Sequence, residues 1–234
     1  MNKEKIQGLK CFLTEIENLY VTNENDSVTI RQLALRRQKE AVECDKLSKS
    51  PVDSVVSTAL VINWGEELAR PRIKHFKKKQ INSIEMLYET ILNTEPKLFL
   101  KEYLDINSDK PTYNPKYKLL KTLCQAFLKY KTKHNFESEI EAMIHWADNL
   151  DIKDLDNDTV GKNYGVSYGV VQNIKLTLGY NVIKPDRHVL KILKERLNKT
   201  IKPQELSELA VDLEMSELYL DTLLFEYGKL ISKN

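Results

Sequence analysis

Apolar residues recur every three or four positions along almost the whole chain, which is the spacing that buries one face of an α-helix. In the most regular stretch, Leu119, Leu123 and Phe127 follow one another at intervals of four. The pattern predicts helices over residues 3–20, 29–47, 52–68, 71–93, 96–104, 115–132, 137–149, 166–178, 186–198, 203–213 and 216–232. We therefore expect an all-α fold.

The positions of proline and serine support these helix boundaries. Ser216 precedes an acidic residue at a predicted helix start and is expected to cap that helix. Four prolines also stand where helices are predicted to begin, namely Pro96, Pro115, Pro185 and Pro203. The segment 105–115 is the clearest loop or linker. Two stretches rich in β-branched residues, 28–30 and 55–61, leave a strand open as an alternative.

Composition excludes several classes of protein. With 234 residues of which 41% are hydrophobic, the chain can bury a core, which excludes wholesale disorder. No apolar run approaches the roughly 20 residues of a membrane span. The 3 cysteines are far apart, which excludes a disulfide framework and a cysteine-rich zinc or iron–sulfur site. The first ten residues lack the apolar run of a signal peptide, so we expect a cytoplasmic protein.

Charge is segregated along the chain, although the net charge is only +2. Six basic residues fall within 70–80 and seven lysines within 110–136, and neither block contains an acid. The opposite pattern follows, with eight acids in 137–158 and seven in 205–226. Such blocks can form a basic surface for an anionic partner, or they can be solvated helix faces.

Glycines gather in front of one aspartate. Four of the 7 glycines lie within nineteen residues, at positions 161, 165, 169 and 179. The predicted helix 166–178 ends at Gly179, the place of a left-handed cap. Asp186 follows seven residues later, directly after Pro185, at the start of the next predicted helix.

Three features of this segment together resemble a known family. They are the hairpin Tyr164-Gly165-Val166-Ser167, the helix that ends in Gly179, and the motif Lys184-Pro185-Asp186-Arg187-His188-Val189. The segment is similar to the helix-hairpin-helix DNA glycosylase superfamily, which includes endonuclease III and the alkyladenine glycosylases. Over about thirty residues, the glycine and the aspartate have the family's spacing.

The resemblance implies a fold and a function. It implies a two-lobed helical protein with a helix-hairpin-helix motif and a central DNA-binding cleft. Region 1–104 would pack in part with the C-terminal helices 201–234, and 105–200 would form the hairpin core. The protein would be a monomer that binds double-stranded DNA containing a damaged or modified base. No organic cofactor and no catalytic metal is implied, and a monovalent cation at the hairpin stays open.

The resemblance also implies site residues. Asp186 would be the catalytic carboxylate, stabilised by the N-terminus of its helix. Base flipping would require an aromatic pocket. The candidates for its walls are Tyr168, Tyr164, Trp64 and Trp146. The DNA backbone would be held by hairpin amides and nearby cations. The residues expected there are Gly165, Val166, Ser167, Gly169, Lys162 and Arg187.

The sequence departs from the family pattern at informative positions. The second hairpin glycine is replaced by Ser167. The lysine of bifunctional members falls at Tyr168 or Gly169, neither of which forms a Schiff base, while Lys162 and Lys175 are off register. The resemblance therefore implies a monofunctional glycosylase, which hydrolyses the glycosidic bond and leaves the backbone intact.

The sequence is also compatible with functions that involve no base excision. Residues 160–174 look like a helix-turn-helix, in which Tyr168, Gln172, Asn173 and Lys175 would face base edges. A helix-hairpin-helix protein without catalytic activity and an all-α interaction protein stay open as well.

For a glycosylase, the target base is not readable from the sequence. Repair and defence against modified phage DNA are both compatible with it.

Overall fold

Helices build most of the chain, as the spacing of apolar residues predicts. The computed structural model describes residues 3–23, 26–62, 64 and 66–232. Its α-helices are α1 (Lys3–Glu17), α2 (Ile30–Val42), α3 (Pro51–Val61), α4 (Glu66–Lys77), α5 (Ile84–Asn93), α6 (Pro96–Leu104), α7 (Pro115–Lys133), α8 (Glu139–Asn149), α9 (Tyr168–Thr177), α10 (Arg187–Leu197), α11 (Leu206–Leu213) and α12 (Glu217–Ile231). The all-α prediction is confirmed. Among the described residues, no helix is both long and apolar enough to cross a membrane.

The chain divides into two compact units. Unit 1 contains residues 1–44 and 179–234, and unit 2 contains residues 45–178. The N-terminal and C-terminal segments therefore belong to one unit. The divisions fall at 44/45 and 178/179, whereas the sequence placed boundaries at 104/105 and 200/201.

Unit 1 is built around α12, which packs against α1, α2, α10 and α11. The apolar face of α10 is fully buried, as its helical spacing predicts, with Val189, Ile192, Leu193 and Leu197 in the core. Leu220, Leu223 and Leu224 of α12 face the same core. Asp186 immediately precedes α10, so this packing fixes the start of the helix on which it lies.

Unit 1 also contains a short antiparallel hairpin, and residues 28 and 29 of the stretch where a strand stayed open lie in it. Strand β1 (Tyr20–Asn23) pairs with β2 (Asp26–Thr29), with Val21 opposite Val28. The predicted helices 3–20 and 29–47 are accordingly shorter, at 3–17 and 30–42. Thr29 ends the hairpin and caps α2, because its side chain accepts a hydrogen bond from the Gln32 amide.

Unit 2 is organised by α7 and α3. The apolar stripe Leu119, Leu123 and Phe127 of α7 is buried, and α7 packs against α3, α5 and α8. The β-branched stretch 55–61 is helical and lies within α3, which also contacts α9. The turn before α9 and the N-terminal half of α7 therefore belong to one packed body.

The predicted helix 71–93 is in fact two helices. Helix α4 ends at Lys77 and α5 starts at Ile84. Between them, Gln80 has a φ of 55°, in the left-handed region that ends a helix. Ser83 then starts α5 by accepting a hydrogen bond from the Met86 amide. The apolar spacing continues across the break, which is why the spacing alone did not reveal it.

Prolines mark three of the other helix starts as predicted, whereas Pro185 lies two residues before α10, which begins at Arg187. Pro96 and Pro115 are the first residues of α6 and α7, and Pro203 begins a short 3-10 helix before α11. Ser216 caps α12 by accepting from the Tyr219 amide at 3.2 Å. The loop 105–115 lies inside unit 2.

Candidate functional site

A tight turn precedes α9 and contains the predicted hairpin residues. The Val166 amide donates to the Asn163 carbonyl at 3.0 Å, which closes a turn with Tyr164 and Gly165 at its centre. Gly165 has a φ of 80°, the left-handed value that a turn of type II requires at its third position. Glycine is needed here because a side chain would strain this conformation.

Two of the predicted backbone-binding residues, Ser167 and Gly169, lie at the start of α9. Ser167 is the N-cap of α9, and its side chain makes no capping hydrogen bond. The Val171 amide is the one that bonds back to the Ser167 carbonyl. The first N–H groups of a helix have no partner within that helix. Gly169 lies in this first turn, so the predicted residues Gly165, Val166, Ser167 and Gly169 all belong to the turn or the helix start.

The side chain of Asn163, the first residue of the turn, is oriented by hydrogen bonds to the backbone. Asn163 Nδ2 donates to the carbonyls of Thr159 and Val160, at 2.6 and 2.9 Å. The carbonyls of Thr159, Val160 and Asn163 therefore already accept hydrogen bonds, and a cation at the hairpin would have to use others. That cation stays a prediction. Lys162 is exposed beside the turn.

Gly179 ends the helix of the motif as predicted. The Leu178 amide donates to the Ile174 carbonyl at 3.0 Å, and Gly179 follows with a φ of 88°. The next residues are not helical until α10 begins at Arg187. The hairpin turn belongs to unit 2, while Gly179, Asp186 and Arg187 belong to unit 1, and each is described within its own unit.

Asp186 is the N-cap of α10. Its Oδ1 accepts a hydrogen bond from the His188 amide at 2.8 Å, and the side chain is half-buried. Within the described part of the chain, Oδ2 has no hydrogen-bond partner. The amide and the positive end of the helix both interact favourably with a carboxylate. The geometry therefore fixes one oxygen and leaves the other for a further contact. Arg187 is exposed next to it.

A second carboxylate, which the sequence analysis missed, supports the segment that leads to Asp186. The Lys184 amide donates to Oδ1 of Asp221 at 2.9 Å, and the Ile183 amide donates to Glu217 at 2.9 Å. Both acids lie on α12, one turn apart. The Asp186 amide in turn donates to the Lys184 carbonyl at 2.7 Å. These bonds hold the Asp186 turn onto α12.

Asp221 is itself electrostatically unusual. It is 8% exposed, and burial raises its pKa from 3.8 to about 7, with the Asp186 charge acting in the same direction. The Lys184 amide and the charges of Lys184 and Arg37 oppose that rise. The one signal in the sequence is an acid inside the apolar run around Leu220 and Leu223.

His188 has a packing role. Its ring lies edge-on to Phe225 with a centroid separation of 6.5 Å, and Nδ1 lies 3.3 Å from the Ser232 hydroxyl. Gly228 of α12 faces it so closely that an added Cβ would lie 2.6 Å from the His188 Cβ. These contacts pack His188 of α10 against α12.

The four candidates for the base pocket lie in different environments. Trp146 is 1% exposed, packs edge-on against Phe127 and donates from Nε1 to Asp158 at 3.0 Å, so it is a core residue. Tyr168 is also buried, and its hydroxyl accepts from Gln172 at 2.8 Å. Neither ring can contact a base unless the core opens.

The other two aromatic candidates are accessible. Trp64 is half-buried, with the Arg72 guanidinium 4.9 Å and the Lys116 ammonium 4.7 Å from its ring centroid. Tyr164 is 77% exposed at the tip of the hairpin turn. A pocket role for Trp64 stays a prediction, while Tyr164 is a surface residue.

The polar residues of the helix-turn-helix alternative are mostly hidden. Gln172 and Asn173 are 2% and 4% exposed. Asn173 donates to the Thr58 hydroxyl of α3 at 3.0 Å, inside unit 2. With Tyr168 also buried, three of the four side chains proposed to face base edges point into the protein.

The basic blocks are less uniform than the sequence suggests. Lys116 is buried, and its ammonium donates to the carbonyls of Leu60 and Ile62. Burial lowers its pKa to about 8. A basic surface built from the 110–136 block would therefore not include Lys116. Lys77 of the other block pairs with Asp53 at 3.0 Å.

Comparisons with models of protein families, with curated proteins and with solved structures gave no match. The resemblance to the glycosylase superfamily therefore depends on the residues of the 159–189 segment alone. It remains a prediction.

Proposed function

We propose that the protein is a monofunctional DNA glycosylase, with Asp186 as its catalytic carboxylate. The observation that carries the proposal is the state of this side chain. One oxygen is held by the N-terminus of α10, and the other has no partner among the described residues. Asp186 also lies seven residues after Gly179, which ends the preceding helix in a left-handed conformation, and this is the family's spacing.

The chemistry follows from the charge on Asp186. As the bond between C1′ and the base nitrogen breaks, its electron pair leaves with the base and the sugar becomes oxocarbenium-like. A nearby carboxylate stabilises that positive charge. Asp186 also accepts a proton from the attacking water, whose oxygen bonds to C1′. The departing base takes up a proton from solvent, Asp186 returns the water proton to solvent, and the phosphodiester backbone stays intact.

The hairpin would position the DNA. The amides at the start of α9 and the exposed Lys162 are suited to one phosphate, and the positive φ of Gly165 lets the backbone approach closely. A base in a duplex must leave the stack to be hydrolysed, so the proposal includes base flipping. The partner would be double-stranded DNA, bound by a cytoplasmic monomer that acts in base-excision repair or in defence against modified phage DNA.

The absence of a Schiff base is part of the proposal. The two positions in the register of the family's lysine are Tyr168, whose hydroxyl is already bonded to Gln172, and Gly169, which has no side chain. Cleavage of abasic DNA should therefore be absent. If efficient strand cleavage occurs and is lost in Lys162→Ala or Lys175→Ala, the monofunctional assignment is wrong.

Mass spectrometry of released bases tests the proposal. Purified protein is incubated with alkylated, oxidised and naturally modified phage DNA, and with unmodified DNA as the control. We expect one class of free base, with the strands intact. If no DNA yields a free base but a selection recovers one preferred duplex sequence, the protein is a sequence-specific binder and not a glycosylase.

A further inference from the structure

Two exposed tyrosines and one lysine form a cluster on the surface of unit 2, here named the tyrosine–lysine cluster. The Lys118 ammonium lies 4.9 Å from the ring centroid of Tyr113 and 5.8 Å from that of Tyr164. The rings are 72% and 77% exposed. The Lys118 ammonium therefore lies over both aromatic rings, which are otherwise exposed to solvent.

The three residues of the tyrosine–lysine cluster have well-defined backbones. Tyr113 ends a 3-10 helix directly before α7, and Lys118 lies in the first turns of α7. Tyr164 is at the tip of the turn that the Val166 amide closes, next to Gly165, which faces Leu119 of α7. All three residues therefore lie in regular structure or in a hydrogen-bonded turn of unit 2.

The surrounding charge favours a polyanion. Residues 110–136 and 159–185, which supply the tyrosine–lysine cluster, contain no Asp or Glu. The acids that border these two stretches in sequence are Asp109, Glu137, Asp158 and Asp186, of which Asp158 already accepts from Trp146 Nε1 and from the amides of Val160 and Gly161. Lys162 is exposed two residues before Tyr164. A protein partner that buried two tyrosines would also have to accommodate this excess of positive charge.

We propose that the tyrosine–lysine cluster is a stacking site for unpaired DNA bases, with Lys118 bound to the adjacent phosphate. Exposed aromatic rings beside cations are the combination that binds single strands without reading sequence, because every base has a flat face. The bases of a paired duplex are stacked on one another and do not offer that face. This binding site is separate from base hydrolysis. It rests on the proposed function only in the assumption that the bound polymer is DNA.

Fluorescence anisotropy with the full chain tests this site. The probes are a labelled 20-nucleotide oligo(dT) and an unmodified 20-base-pair duplex. We expect Tyr113→Ala and Tyr164→Ala each to weaken oligo(dT) binding about 5- to 150-fold, with duplex binding changed far less. Tyr164→Phe should retain binding. Lys118→Met should reduce the slope of log affinity against log salt by about 0.7.

Tyr20→Ala is the matched control, because Tyr20 is 68% exposed and lies on β1 of unit 1. The proposal is overturned if the wild type does not bind oligo(dT). It is also overturned if Tyr113→Ala and Tyr164→Ala bind like the wild type, or if Tyr20→Ala loses as much affinity. The anisotropy assay does not measure base release. If the glycosylase proposal alone fails, oligo(dT) still binds while mass spectrometry detects no freed base.

Discussion

Asp221 should make the stability of the protein depend on pH. Its pKa rises from 3.8 to about 7 in the folded state, so folding disfavours its ionised form. Stability is then greatest at low pH, where Asp221 is neutral in both states, and it falls as the pH rises through the folded-state pKa. A pKa rise of about three units lowers the free energy of unfolding by about 4 kcal/mol between pH 4 and pH 8. About 3 kcal/mol of that loss occurs between pH 5 and pH 8.

The perturbation is Asp221→Asn, which removes the charge and keeps an oxygen that can accept from the Lys184 amide. Urea denaturation of both proteins at pH 5, 7 and 8 measures the free energy of unfolding. We expect the variant to gain stability relative to the wild type as the pH rises, by about 3 kcal/mol between pH 5 and pH 8. Comparing the two proteins cancels the titration of the other groups.

Glu40→Gln is the control, because Glu40 is an exposed acid of α2 in the same unit. It should leave the pH dependence of the wild type unchanged. The reasoning is refuted if Asp221→Asn follows the wild type in parallel from pH 5 to pH 8, since burial would then not be disfavouring the charge.

Two packing predictions use closely defined contacts. Gly228→Ala places a Cβ 2.6 Å from the His188 Cβ and should cost about 1–3 kcal/mol in urea denaturation, whereas Gly8→Ala, with nothing within 4 Å, should gain about 0.5–1 kcal/mol. Equal effects of the two would show that α10 and α12 are not packed this closely. Trp146→Phe removes the bond from Nε1 to Asp158 and should cost about 1–3 kcal/mol, with a lower Tm; an unchanged Tm would contradict a core position.

The parts of the site that the sequence predicted are those set by local chemistry. Gly165 and Gly179 have the positive φ values that their turn and helix end require. Asp186 follows Pro185 and caps the helix that apolar spacing placed at 186–198. A turn, a cap and an amphipathic helix depend on neighbours in sequence, so a single chain contains enough information to locate them.

The parts that were missed depend on residues far apart in sequence. Asp221 contacts the Asp186 segment through a backbone amide 37 residues away, and no spacing rule indicates that pairing. Lys116 is one of seven lysines between 110 and 136, yet it alone of the described lysines is buried. The sequence shows that Lys116 is charged, but it does not show that the ammonium donates hydrogen bonds to the carbonyls of Leu60 and Ile62.

The aromatic candidates illustrate the same limit. The sequence indicates only that Trp146, Tyr168 and Tyr164 are aromatic, and an aromatic ring is equally common in a core, in a pocket and on a surface. The structure buries Trp146 and Tyr168 and exposes Tyr164. Tyr113, which contacts the same Lys118 ammonium as Tyr164, lies in a loop whose sequence has no motif that would indicate it.

The most direct test of the central claim is base release by Asp186→Asn, measured in single turnover on the DNA that the wild type acts on. Asparagine is as good an N-cap as aspartate, so α10 and its packing should be retained. We predict at least about a 100-fold loss of base release with DNA affinity unchanged, because the variant cannot accept the water proton or stabilise the sugar cation. Base release at the wild-type rate would contradict the assignment of Asp186.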